Sequence, residues 1–165
     1  VDEIVAASRD DFLNLNVVMG EFYLSEVIGA TALYYRDKLD TIHTKLELRE
    51  FEECLLKGDK DRLLETLQNI MENAIKYGDG KEIAIWGEDE EDCKLIHIEN
   101  TGCSLKEEEL QNIFDSFYRG SNSQKSKGNG LGLFICKSLM KKMDGDVFAQ
   151  ILKERFRITV VVRKA

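Results

Sequence analysis

The chain has 165 residues and a formal net charge of −8, with 43% hydrophobic and 33% charged residues, no proline and four cysteines. One domain fits this length, and the composition is rich enough in apolar residues to exclude wholesale disorder. The acidic balance excludes a protein that works by neutralising nucleic-acid phosphates, although a local cationic pocket for one nucleotide remains compatible with it. No stretch approaches the roughly 18 apolar residues of a membrane span. The first residues, Val1-Asp2-Glu3, lack Met and the regions of a signal peptide, so the chain is expected to be a piece of a longer protein. Cys54, Cys93, Cys103 and Cys136 match no zinc or redox spacing, and are expected to be reduced thiols in a cytosolic protein.

In chain order, residues 1–13 are predicted as the end of a helix and 21–24 as a short strand. Residues 25–42 carry Val27, Ile28, Leu33 and Leu39 at helical spacing. Residues 45–54 alternate Leu46 and Leu48 with Glu47 and Arg49, which predicts one half-buried strand ending at Gly58-Asp59. An Asp then caps a helix over 61–77. Residues 82–86 and 93–99 are strands joined by an acidic turn, with His97 on the outer, solvent side. A helix over 105–118 is opened by the capping box Ser104-Leu105-Lys106-Glu107. Residues 119–129 read as a polar loop, 131–143 as a helix stopped by Asp144-Gly145, and 146–152 and 156–163 as a last hairpin. Helices between strand pairs, without a repeated βαβ unit, predict an α+β two-layer sandwich with the helices on one face of a mixed sheet.

Helix 61–77 has a core face of Leu63, Leu67, Ile70, Met71 and Ala74. At about 100° per residue, Asn69, Asn73 and Lys76 share the far side, and Tyr77 lies between the two faces. Two amide carbonyls are hard oxygen donors suited to magnesium, and a neighbouring lysine suits a phosphate, although the same stripe could be a plain solvated face.

Lys127-Gly128-Asn129-Gly130-Leu131-Gly132-Leu133 places three glycines where a loop enters a helix. Free amides there make an anion site. The pattern is neither a dinucleotide fingerprint nor a Walker loop, and a flexible hinge is the plainer alternative. Asn100 ends its strand on the inward side beside Gly102, where it could read the edge of a flat heterocycle or simply shape a turn.

Taken together, the sequence resembles the ATP-binding catalytic domain of bacterial sensor histidine kinases, of the superfamily that includes type II topoisomerases, Hsp90 and MutL. Four motifs over residues 20–163 carry the resemblance. Asn69-Ile70-Met71-Glu72-Asn73-Ala74-Ile75-Lys76-Tyr77 is similar to the N box and Asn100-Thr101-Gly102-Cys103-Ser104 to the G1 box. Phe114-Asp115-Ser116-Phe117-Tyr118-Arg119-Gly120 is similar to the F box and Gly128-Asn129-Gly130-Leu131-Gly132-Leu133 to the G2 box.

The resemblance implies that Asn73, with Asn69, holds magnesium, that Lys76 contacts phosphate and that Tyr77 packs on the nucleotide. Asn100 and Gly102 would line the adenine pocket. Arg119, Gly128, Gly130, Leu131 and Gly132 would meet the phosphates, with 119–129 as the ATP lid. The ATP site would then lie between the sheet-side helices and the lid loop. Residues 1–13 would end a dimerisation helix, and 14–165 would be the catalytic domain of a homodimeric, membrane-anchored sensor, cytoplasmic and acting on a response regulator through its own phosphoacceptor segment. That segment is missing, and neither His43 nor His97 takes its place.

The motif departs from the usual Asp at Asn100. A carboxylate there accepts a charge-assisted bond, so Asn100→Asp is expected to tighten binding. Three activities are compatible with these residues: phosphoryl transfer to an upstream histidine, ATP hydrolysis, and nucleotide binding without catalysis. Hydrolases of the superfamily carry a glutamate base where this chain has Asn69, which favours transfer; Glu72 is the only carboxylate nearby on the helix.

Overall fold

A computed structural model of the chain describes residues 15–110, 112–115 and 132–165. The expected helix end at 1–13 and the loop at 119–129 lie outside the described residues.

Strand β1 (Gly20–Tyr23) runs straight into helix α1 (Leu24–Thr41). The Glu26 carboxylate accepts the Tyr23 N–H at 2.7 Å and so supplies a partner at the helix start. That backbone bond, together with Lys60, holds the Glu26 carboxyl below its usual range. Val27, Ile28, Tyr35 and Leu39 are buried along one side of α1.

The single strand expected over 45–54 is two strands. β2 (Lys45–Leu48) pairs parallel to β4 (Glu82–Asp89), whereas β3 (Leu55–Gly58) pairs antiparallel to β1 and to β7 (Arg155–Lys164). They lie near opposite edges of the sheet, so the charged segment between them is a crossing and not a strand. The crossing is fixed by Arg49 N–H to the Ile85 carbonyl, Leu24 N–H to the Cys54 carbonyl, and the buried ammonium of Lys94, which donates to the Glu52 carbonyl at 2.8 Å. The pattern that marks a strand end, a glycine or proline, is absent from 49–54.

Helix α2 (Lys60–Tyr77) begins where Asp59 accepts the Arg62 N–H at 3.1 Å. β4 and β5 (Cys93–Thr101) form the expected hairpin. Among the described residues helix α3 is Glu107–Leu110 and Asn112–Asp115 follow as turns, where the apolar stripe predicted a helix over 105–118; residues 111 and 116–118 lie outside the described residues. Tighter i to i+3 bonds, Asn112 N–H to Glu109 and Asp115 N–H to Asn112, replace the α-helical ladder and still bury Ile113. The carboxylate that reaches back belongs to Glu109, which accepts the Lys106 N–H; the Ser104 N–H donates instead to the Tyr77 carbonyl.

Helix α4 (Leu133–Lys142) leads to β6 (Asp146–Leu152) and β7. Lys153 and Glu154, both near φ +47°, form the left-handed two-residue turn that suits strand twist.

The sheet has seven strands in the order β1-β3-β7-β5-β4-β2, with β6 also paired to β7. The core forms between its inner face and the helices: Ile83, Ile85, Ile96, Ile98, Phe156, Ile158 and Val160 meet Leu63, Leu67, Ile70 and Met71 of α2. This is the α+β two-layer sandwich expected from the element order.

The outer face is covered by its own long side chains. Trp86 lies under the guanidinium groups of Arg49 and Arg157, at 4.4 and 5.0 Å, and stacks near His97. His97 is therefore buried, at 4% exposure, instead of facing solvent. Its ring nitrogens sit 2.8 Å from Thr159 Oγ1 and Glu88 Oε1. No helix among the described residues is long and apolar enough to cross a membrane.

Candidate functional site

The C-terminal half of α2 meets the start of α4 at Asn69, and its end meets the end of β5 at Gly78. Two glycines allow the approach. A Cβ on Gly78 would lie 2.6 Å from Asn100 Nδ2 and 2.7 Å from the Ala74 carbonyl. One on Gly102, at φ +74°, would lie 2.7 Å from the Asp79 side chain. The seam is closed by Asp79 N–H to the Thr101 carbonyl at 2.9 Å and by the Thr101 hydroxyl to Asp79 Oδ1 at 2.7 Å. The Thr101 hydroxyl and then the Lys81 N–H hold the Asp79 carboxyl below the ordinary aspartate range. Sequence reasoning misses Gly78 and Asp79, because a Gly-Asp pair after a helix reads as a stop signal and nothing more.

Asn100 is 2% exposed. Its amide NH2 donates to the carbonyls of Thr101 at 3.2 Å and Gly102 at 2.9 Å. These two acceptors fix which way the amide faces. Asn100 Oδ1 is buried without a hydrogen-bond partner, alone in this among the described residues. A buried acceptor left open costs about 1–3 kcal/mol unless a ligand or water serves it. Against the expectation that Asn100→Asp tightens binding, a carboxylate would set an oxygen against two carbonyl oxygens that now receive hydrogen bonds.

The polar stripe of α2 is not simply a solvated face. Asn69 is 5% exposed, because α4 packs over it, and its Nδ2 donates to Cys136 Sγ at 3.4 Å. Burial pushes the Cys136 thiol up to about 11. Asn73 is half-buried, and its Nδ2 donates to the Asn69 carbonyl at 2.8 Å, so its own carbonyl oxygen faces away from the helix backbone. The Lys76 ammonium lies 5.1 Å from the Tyr77 ring centroid, and Tyr77 meets Phe156 edge to face, 5.9 Å between ring centres.

Glu72 turns to the other side. Its carboxylate takes the Tyr35 hydroxyl at 2.6 Å and the Lys38 ammonium at 2.9 Å, both from α1. Burial, and then this carboxylate, raise the Tyr35 hydroxyl above its usual range. The carboxylate that the sequence offers for chemistry on this helix is thus already engaged by two donors.

Gly132 is expected inside the helix; it is instead the residue that precedes α4, and a Cβ there would meet no atom within 4 Å among the described residues. Arg119, Gly128, Gly130 and Leu131 lie outside the described residues.

The profile of the family described as "Histidine kinase-, DNA gyrase B-, and HSP90-like ATPase" matches residues 58–165. The chain belongs to this family. As a domain of this ATPase family it is similar to the sensor protein SrrB of Staphylococcus aureus, at 29% identity over 150 residues, covering 89% of this chain and 26% of SrrB. The chain thus spans about a quarter of the length of the curated relatives it matches. Among solved structures, the histidine kinase ThkA in complex with the response regulator TrrA superposes with a TM-score of 0.80 at 20% identity, covering 99% of this chain and 47% of that one. The nucleotide-free catalytic domain of ThkA gives 0.77 at 24% identity, with 89% and 96% covered, and the Acinetobacter baumannii kinase AdeS 0.74 at 18%, with 98% and 76% covered. These likenesses establish the fold.

Proposed function

We propose that residues 14–165 are the ATP-binding catalytic domain of a two-component sensor histidine kinase, and that residues 1–13 end the dimerisation helix leading into it. The domain binds ATP with magnesium and passes the γ-phosphoryl to a histidine on its own upstream segment. That histidine attacks γ-phosphorus, the bond from phosphorus to the bridging oxygen breaks, and ADP leaves with the electron pair. The observation that carries this reading is the buried, unpartnered Oδ1 of Asn100, at the strand end that α2 approaches at Gly78. An exocyclic amino group of an adenine would supply the missing donor.

The donor set fits magnesium. Mg²⁺ is usually held by one or two protein oxygens plus substrate phosphates and water. The Asn73 carbonyl, freed by the turn of its NH2 onto Asn69, is such an oxygen, and Asn69 supports it. The metal would neutralise phosphate charge as the leaving group departs. Lys76 would take a phosphate oxygen, Tyr77 the side of the base, and Gly102 the close approach at the strand end. Gly132, Gly128, Gly130 and Leu131 would offer backbone amides, and Arg119 a guanidinium.

Hydrolysis is the weaker reading. Asn69 stands where a base would be needed and spends its amide on Cys136, while Glu72 is engaged by α1. Neither histidine suits phosphate acceptance: His97 is buried, and His43 lies in the left-handed turn after α1. SrrB is a sensor protein and ThkA is a histidine kinase found with a response regulator, which supports a sensor acting through such a regulator; a homodimeric, membrane-anchored whole protein is part of the same proposal.

The test is incubation of full-length protein with γ-labelled ATP. Acid-labile label on an upstream histidine, absent when residues 1–165 are incubated alone, is expected. Free phosphate released in step with ATP loss, without labelled protein, would favour hydrolysis instead.

A further inference from the structure

Three hydrogen bonds lie between the start of α4 and Asn73, the middle one made by the Asn69 side chain and the last by the Asn69 backbone. The Gly132 carbonyl accepts the Cys136 N–H at 3.3 Å. The Cys136 sulfur accepts Asn69 Nδ2 at 3.4 Å. The backbone carbonyl of Asn69 accepts Asn73 Nδ2 at 2.8 Å. Thus Cys136 touches the glycine motif with its backbone and the asparagine motif with its side chain. Both side chains at the middle link are nearly excluded from solvent.

We propose that Cys136 is a positioning residue for the metal-nucleotide site: its sulfur fixes the amide of Asn69, and thereby the direction of the Asn69 side-chain carbonyl, one turn before Asn73 on α2. The inference rests on the reading of Asn69 and Asn73 as the magnesium-bearing pair. A planar amide has two ends. When the NH2 of Asn69 is occupied by sulfur, its Oδ1 must face the other way, and the rotamer cannot exchange without leaving a buried donor unpaired. Thr66, fully buried one turn earlier, gives its hydroxyl to the Arg62 carbonyl at 2.9 Å and so closes the helix beside the sulfur. Deeper layers around a metal ligand commonly orient it this way. Sequence inspection sees only an apolar-sized residue at a helical core position; the link requires the packing of α4 on α2.

Three variants separate positioning from packing. Cys136→Val keeps the volume and removes the acceptor. Cys136→Ser restores an acceptor. Asn73→Ala reports on the metal reading itself. Folding of each is checked by thermal denaturation, and the ligand-free protein is followed by NMR of the Asn69 side-chain amide, assigned by its loss in Asn69→Asp. ADP affinity is then titrated against magnesium concentration.

In Cys136→Val the Asn69 amide protons are expected to exchange faster, and the magnesium midpoint for ADP binding to rise by about three- to tenfold, the range of one neutral hydrogen bond. Affinity without magnesium should stay unchanged, and Cys136→Ser should recover most of the shift. A folded Cys136→Val with an unchanged magnesium midpoint, beside an Asn73→Ala that moves it, overturns the positioning role of Cys136. An Asn73→Ala that leaves the midpoint unmoved overturns the metal reading, and the positioning role falls with it. Equal loss with and without magnesium in both Cys136 variants also overturns it, since that is the mark of packing alone.

Discussion

Asn73 Nδ2 donates to the backbone carbonyl of Asn69 at 2.8 Å, one turn earlier on the same helix. The side chain is thereby half-buried and held with its carbonyl oxygen away from the helix backbone. Asn73→Ala removes that oxygen and leaves α2 intact, because alanine is the better helix former. The expected result is loss of the magnesium-dependent part of nucleotide binding with little change in melting temperature. Calorimetric titration of ADP with and without magnesium checks it; a variant that still gains affinity from magnesium as the parent does would remove Asn73 from the metal site.

Asn100→Asp should weaken nucleotide binding. The amide donates to two backbone carbonyls, at 3.2 and 2.9 Å, and a carboxylate cannot. Turning two attractive contacts into repulsive ones in a buried site costs about 1–3 kcal/mol, or roughly five- to 150-fold in affinity if the cost falls on the bound state. Asn100→Ala removes the open acceptor without adding charge, and should lose less. Fluorescence titration with an adenine nucleotide ranks the three proteins; an aspartate variant that binds more tightly than the parent would show that the strand end rearranges.

Much of this site is legible in the sequence. The core face of α2, its asparagines and lysine, and Asn100 at the strand end all follow from periodicities that a chain reports locally. The burial of Asn69 does not, because a helical wheel cannot tell which of its polar residues a second helix will cover; α4 does that from 67 residues away. Nor does the split of 45–54. Leu46 and Leu48 fix β2, but the strand that follows pairs with β1 and β7, and its partner choice depends on contacts such as Lys94 to the Glu52 carbonyl. His97 alternates outward as expected, yet Trp86, lying beneath Arg49 and Arg157, closes over the same face of the sheet.

Glu72→Gln separates structure from catalysis. The carboxylate joins α2 to α1 through Tyr35 and Lys38, and the Lys38 pair is about half exposed, 48% and 41% for the two side chains. A pair so exposed contributes no more than about 1 kcal/mol. The variant should lose a few degrees of melting temperature at most and keep phosphoryl transfer close to the parent rate in the full-length protein. A loss of transfer of a hundredfold or more, with unchanged ADP affinity, would return Glu72 to the chemistry.

Asp79 ties the end of α2 to the end of β5, and its pH dependence follows from its partners. The Thr101 hydroxyl and the Lys81 N–H favour the ionised carboxylate, so the folded protein binds this proton more weakly than the unfolded chain does. A depressed pKa contributes stability that is fully present above the ordinary aspartate value of about 3.9, and that is lost as pH falls through the lower folded value. Asp79→Asn lacks the charge at every pH. Melting temperatures measured from pH 7 down to 3 should therefore show the parent above the variant at neutral pH, with the gap closing below about pH 4. Because this carboxylate is exposed, the gap should also shrink in high salt. A difference that stays constant across the whole range would mean that the Asp79→Asn variant loses packing at the Gly102 contact and that the charge of Asp79 contributes nothing.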